Sequence, residues 1–277
     1  MTLFTTLQSL VPQQKISEIA GRLAQSRHPM VKKTFIRTFA SVYGIKLEEY
    51  ARGSFSQYDS FNDFFTRELK DGARKIDDDP DARICPADGM ISQLGQIDKD
   101  QILQAKGKSY EVGQLLADYE LGKAMQEGSF VTVYLAPTNY HRVHMPFDGT
   151  LVETIYVPGQ LFSVNNETAE NITDLFARNE RCVCVFDTEF GKACVVLVGA
   201  MIVAGIETVA TGKIKRSDRV QRQTHQMTLK KGDELGRFYL GSTVIVVLPK
   251  SAGIAWDAGL SNSVPVTMGQ RLGTFLQ

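Results

Sequence analysis

The stretch FYLGSTVIVVLP, residues Phe238–Pro249, decides how the chain is read. From Thr243 to Leu248 it is a run of β-branched residues and leucine without a charge, the pattern of a buried strand. A Gly241-Ser242 step stands directly before that run. Glycine inside a strand pattern marks a bulge or a close backbone approach, so one reading of the step is a local kink. The other is that the Gly241–Ser242 bond is itself reactive.

Working outward, similar short runs recur at 90–94, 130–135, 150–157, 182–187, 193–203 and 205–210. Before Ile84 the pattern is helical. Ile16, Ile19, Ala20, Leu23 and Ala24 form one stripe after Pro12. Val31, Phe35, Ile36, Phe39, Val42 and Tyr43 form a second after His28-Pro29, and 59–69 reads as a further helical segment. Helices first and strands after predict an α+β protein whose body is a β-rich barrel or sandwich. The expected division is an N-terminal helical region, 1–70, and a β-rich domain, 71–277. Segment 211–229, with Arg216, Arg219 and His225, reads as a loop of solvated charges.

Composition narrows the function. Lys plus Arg equals Asp plus Glu at 31 each, which argues against a general nucleic-acid binder. The four cysteines form no C-x-x-C pair and no secretory signal precedes them, so reduced thiols are expected, with neither a disulfide framework nor a zinc site. The apolar run at 193–206 has 14 residues, short of the roughly 18–20 that cross a bilayer. Between Lys15 and Arg37, however, six basic residues face one acid, Glu18. A basic amphipathic helix pair suits either a solvated face or an anionic membrane surface.

Histidine is scarce: His28, His141, His144 and His225 are the whole set. Two lie three apart in APTNYHRVHMPFDG, where a helical turn would put them on one face and a strand on opposite faces. The pair suggests acid/base chemistry over a metal site, since no H-E-x-x-H is present. Upstream, CPADGMIS places Asp88 either in a turn or as the carboxylate that orients an imidazole.

In order along the chain, P-A-D-G-x-I-S, Y-H-R-V-H-M-P, V-P-G-Q-L-F-S-V-N, F-A-R-N-E-R and L-G-S-T closely resemble the phosphatidylserine decarboxylase family, over nearly the full length. The resemblance implies a proenzyme that cuts itself between Gly241 and Ser242 into a β chain, 1–241, and an α chain of 36 residues, 242–277. It implies Asp88, His144 and Ser242 as the self-cleavage relay, and Ser242 as the source of a pyruvoyl cofactor. That group would form a Schiff base with the substrate amine, in place of pyridoxal phosphate and without a metal. His141 matches the proton donor in decarboxylation. Implied partners are phosphatidylserine and an anionic membrane surface at the cytoplasmic side of the cell membrane, with homo-oligomerisation left open. A pyruvoyl decarboxylase of a soluble amino acid, or a non-catalytic β-barrel binding module, are the alternatives. A Ser-His-Asp hydrolase fits less well, because G-x-S-x-G is missing.

Overall fold

A computed structural model describes residue 8 and residues 13–105, 107–200, 205–239 and 241–275. Pro12, residues 201–203 of the expected 193–203 strand, and Leu240 of L-G-S-T lie outside the described residues.

Helices α1 (Gln13–Ala24) and α2 (Pro29–Tyr43) form where the periodicity predicts them. Their packing differs from a simple apolar-in rule: Ser17, Gly21 and Ala24 turn inward, while Ile19 is 61% exposed, Met30 74% and Val42 71%. The expected 59–69 helix shortens to α3 (Phe61–Phe65), started by Ser60 Oγ, which accepts from the Asp63 N–H at 3.1 Å. It stops early because the chain turns to bury Arg67. That guanidinium donates to the Tyr50 hydroxyl and to the carbonyls of Thr138 and Asn139, and lies over the Tyr50 ring. Ile36, Tyr58, Phe61, Phe64, Phe65 and Tyr140 complete an aromatic-rich cluster beneath the helices.

The body is built on an antiparallel sheet of eight strands. Its spatial order is β12 (Gln221–Leu229), β7 (Gly149–Val157), β8 (Arg181–Thr188), β9 (Gly191–Gly199), β14 (Ser242–Leu248), β5 (Ser129–Leu135), β2 (Gly89–Gln96) and β16 (Pro265–Val266). A second sheet runs β11 (Gly212–Lys213), β10 (Ile206–Thr208), β13 (Glu234–Phe238), β6 (Arg142–His144). A third runs β1 (Ala82–Ile84), β17 (Arg271–Phe275), β15 (Ile254–Trp256), and β3 (Gln101–Ala105) pairs with β4 (Lys108–Glu111). Four short helices, α4 (Val112–Leu116), α5 (Tyr119–Ala124), α6 (Asn166–Asn171) and α7 (Leu175–Arg178), fill in around the large sheet.

The unbroken apolar run of β14 now has its reason. Val244, Val246 and Leu248 pack into one core with Leu135, Val143, Leu197 and Phe238, while Ile245 and Val247 pack into another with Leu115, Phe176 and Val196. A central strand buried on both faces has no polar side to alternate with. The outcome is a layered, sandwich-like α+β fold, and the described residues form no closed barrel. Segment 221–229, expected as loop, is instead the edge strand β12, paired with β7 and exposed along most of its length. Among the described residues, no helix is long and apolar enough to cross a membrane.

Candidate active site

The Gly241–Ser242 bond sits where the chain leaves β13 in one sheet and enters β14 in another. Ser242 is the first ladder residue, held between Leu135 on β5 and Gly199 on β9. It is fully buried, and its Oγ has no hydrogen-bond partner among the described residues. Gly241 has φ +36°, in the left-handed region, and a Cβ built there would meet nothing within 4 Å. The kink expected at this step is present: a left-handed glycine precedes a buried serine whose hydroxyl has no partner among the described residues.

Two motifs fix the backbone opposite Ser242. In F-A-R-N-E-R, the buried Asn179 side chain donates to the carbonyls of Phe162 and Gly199, both at 2.9 Å, and accepts from the Phe162 N–H at 3.2 Å. The Gly199 N–H donates to the Glu180 carbonyl at 2.8 Å, and Gln160 of V-P-G-Q-L-F-S-V-N bonds the Arg178 carbonyl and the Glu180 N–H. The buried Arg181 donates to carbonyls of Leu115, Ala177, Asn179 and Gln114. These motif residues clamp the end of β9, and β9 in turn holds Ser242 in register.

The two histidines go to different environments, as a short strand requires and a helical turn does not. His141, fully buried ahead of β6, stacks on Phe65 with ring centroids 4.1 Å apart; neither ring nitrogen makes a well-formed hydrogen bond among the described residues, although backbone groups of Pro137 and Ala136 lie close enough to favour its charged form. Burial, with the Arg67 charge nearby, pushes its pKa down to about 3, so it is neutral at physiological pH. His144 ends β6, with Nδ1 2.8 Å from the Gly232 carbonyl and Nε2 3.0 Å from the Tyr140 hydroxyl. Burial lowers its pKa, against the Gly232 carbonyl and the charges of Glu234 and Asp88, which raise it.

Asp88 stands just before β2 and is buried. It makes no hydrogen bond to His144. It accepts from Arg74 through Nε at 3.0 Å and Nη2 at 2.5 Å, and from the Met268 N–H at 2.9 Å. The contact expected between Asp88 and the imidazole is thus taken by Gly232, which sits at φ +90° against Ile76. Asp88 remains close enough for its charge to act on His144. The His144 N–H also bonds the Pro86 carbonyl at 2.7 Å, which joins β6 to the P-A-D-G segment.

Arg74, Tyr140, Asn179 and Gly232 were not singled out by sequence reasoning. Tyr140 and Asn179 lie inside quoted motifs, whereas nothing around Arg74 or Gly232 marks them. Next to the Gly241–Ser242 bond lies a cavity of about 560 Å³, lined by Ala20, Phe35, Phe39, Phe65, Pro137 and Gly241 among others. It connects the apolar side of α1 and α2 with the bond itself.

Known proteins resemble this chain along its length. The family described as phosphatidylserine decarboxylase matches residues 61–274, and a second description, PSD, matches 3–44. A phosphatidylserine decarboxylase proenzyme of Psychrobacter arcticus is 66% identical over 272 residues, covering 98% of each chain. One from Psychrobacter cryohalolentis is 66% identical over 274 residues, covering 99% of each. One from Acinetobacter baumannii is 55% identical over 271 residues, covering 98% of this chain and 95% of the relative. This chain belongs to the phosphatidylserine decarboxylase family.

Proposed function

We propose that the chain is the precursor of a phosphatidylserine decarboxylase, which cuts its own Gly241–Ser242 bond and then converts phosphatidylserine to phosphatidylethanolamine and CO2. The observation that carries the reading is a buried Ser242 hydroxyl, without a partner among the described residues, beside a left-handed, sterically open Gly241 at the wall of an apolar cavity. Thr243 and Thr132 also have unpartnered hydroxyls among the described residues, so what distinguishes Ser242 is its place directly after the left-handed Gly241 and beside the cavity.

In this proposal His144 takes the Ser242 proton at Nε2, and Asp88 favours the imidazolium through its charge. The freed Oγ attacks the Gly241 carbonyl carbon, and the C–N bond breaks as the proton passes to the Ser242 nitrogen, leaving an ester. Loss of the Ser242 α-proton then breaks the Cβ–Oγ bond, so that residues 1–241 leave with a carboxylate. Water displaces ammonia from the dehydroalanine that remains. A pyruvoyl group at this position supplies an electrophilic carbonyl that draws off the electrons of a departing carboxylate. The residues present fit that group: the side chain is buried away from bulk water, and the open side of Gly241 leaves room.

His141 is the proposed proton donor to the carbon from which CO2 departs. Since its imidazole starts neutral, entry of the substrate's carboxylate beside it is what raises its proton affinity. The cavity would take the apolar part of the lipid next to Gly241.

Region 1–70 would hold the enzyme peripherally on the cytoplasmic face of the cell membrane, with the β-rich domain, 71–277, carrying the chemistry. The outward Ile19, Met30 and Val42, flanked by Lys15, Arg22, Lys33 and Arg37, support this. Intact mass under denaturing conditions, with CO2 release from phosphatidylserine in mixed micelles, tests the whole reading. The expected result is a 1–241 fragment, a 36-residue fragment blocked at its N-terminus, and activity lost in Ser242→Ala. An uncut chain that still released CO2 would overturn the pyruvoyl assignment.

A further inference from the structure

Tyr140 stands between the helical layer and His144. It is 3% exposed, its ring belongs to the aromatic cluster under α1–α3, and its hydroxyl lies 3.0 Å from His144 Nε2. We infer that Tyr140 is a positioning residue for self-cleavage: its hydroxyl, donating to Nε2, holds the neutral His144 ring in place until Ser242 displaces it as the donor to that atom, and it ties the ring to the helical layer. The inference rests on the reading of His144 as the base.

The tautomer follows from the partners. A carbonyl oxygen only accepts, so the Gly232 contact at 2.8 Å requires the proton on Nδ1. In the neutral ring Nε2 is then an acceptor, and the phenol must donate to it. Burial raises the Tyr140 pKa, so this group is a phenol and not a phenolate at neutral pH. The rings also lie close, with centroids 5.7 Å apart and planes at 32°, which limits rotation of the imidazole.

Other charges around His144 are accounted for. Glu234 on β13 and Asp88 before β2 favour its protonation, and Arg142 on β6 opposes it. Arg142 is itself paired with Glu234 and Glu68. Tyr140 adds a donor specific to the neutral form, and such a donor lowers proton affinity. Its removal therefore makes His144 easier to protonate.

The test uses the full chain carrying Ser242→Ala, which stays uncut, and follows the His144 ring by nitrogen-15 NMR against pH. In Tyr140→Phe the midpoint is expected to rise by about half to one pH unit, the worth of one net hydrogen bond. With Ser242 intact, Tyr140→Phe is expected to cleave about three- to tenfold more slowly at pH 7, with the acid limb of the rate profile displaced upward by the same amount. If the phenylalanine chain misfolds, 3,5-difluorotyrosine at position 140, a stronger donor, is expected to move the midpoint downward. A titration that stays in place in the folded variant overturns the inference. One that moves while the cleavage profile does not overturns His144 as the base, and with it any positioning role in cleavage.

Discussion

Replacing Asn179 with alanine tests whether the F-A-R-N-E-R motif is the clamp that holds the strand opposite Ser242. The side chain is fully buried and makes three hydrogen bonds, two given to carbonyls and one received from an amide. Alanine strands three buried backbone groups. At about 1–3 kcal/mol for each buried unsatisfied group, with some relaxation, the loss is about 3–5 kcal/mol. Unfolding entropy near 2.1 cal/mol/K per residue gives about 0.6 kcal/mol/K for 277 residues, so Tm falls by roughly 5–9 °C. Calorimetry on uncut chains carrying Ser242→Ala, with and without Asn179→Ala, reads this without interference from cleavage. Asn179→Asp keeps the acceptor for the Phe162 N–H but turns a carboxylate toward two carbonyls, so its deficit should grow as pH rises. With Ser242 restored, cleavage of the Asn179→Ala chain should slow, because Gly199 is the residue paired with Ser242. A Tm drop under about 2 °C, near 1 kcal/mol, would refute the clamp.

Three further outcomes are expected. His141 titrates near 3 in the fold and near 6.5 when unfolded, so the unfolded chain binds more protons between those values and stability falls as pH is lowered through 6.5. Urea unfolding should find the Ser242→Ala chain losing about 2 kcal/mol more between pH 7 and 5 than the same chain with His141→Gln. Arg74→Met strips the buried Asp88 of its ion pair, a loss of about 3–5 kcal/mol by chemical denaturation, and an unchanged midpoint would show that the Met268 amide suffices. Ile19→Asp with Met30→Asp should leave Tm within about 1 °C, since both side chains already face solvent, yet reduce sedimentation with anionic vesicles more than tenfold.

Much of the architecture could be read from residues whose environment is written into their own type. The all-apolar 244–248 run reads as a buried strand, and helices after Pro12 and His28 followed from spacing. The edge strand β12 escaped because QRQTHQMTL is polar throughout most of its length: a strand exposed at a sheet edge has no apolar alternation to betray it. Helix 59–69 was overextended because Phe61, Phe64 and Phe65 satisfy a helical stripe, whereas the destination of Arg67 depends on carbonyls of residues 138 and 139, some seventy positions away. The site divides in the same way. Asp88, His144 and Ser242 are candidates that the motifs supply, but the side-chain hydrogen bonds of Asp88 and His144 could not be read from them. Gly232 on His144 and Arg74 on Asp88 are tertiary partners, contributed by loops without any local signature.

The position of β14 bears on what a break at residue 241 does to the molecule. The 242–277 piece supplies β14 to the middle of the large sheet between β5 and β9, β16 to its edge against β2, and β17 to the small sheet against β1. Cutting the chain there frees one strand end and releases no strand. The halves stay interlocked as one cooperative body, so gel filtration without denaturant cannot tell them from the uncut chain. Unfolding is another matter. Once denatured, the short piece must find its partner by diffusion, and a first-order folding reaction becomes a second-order one whose yield falls with dilution. A chain that cut itself at 241 would thus act as its own assembly jig: it would bring β14 to its place while tethered, and the tether would be dispensable only afterwards.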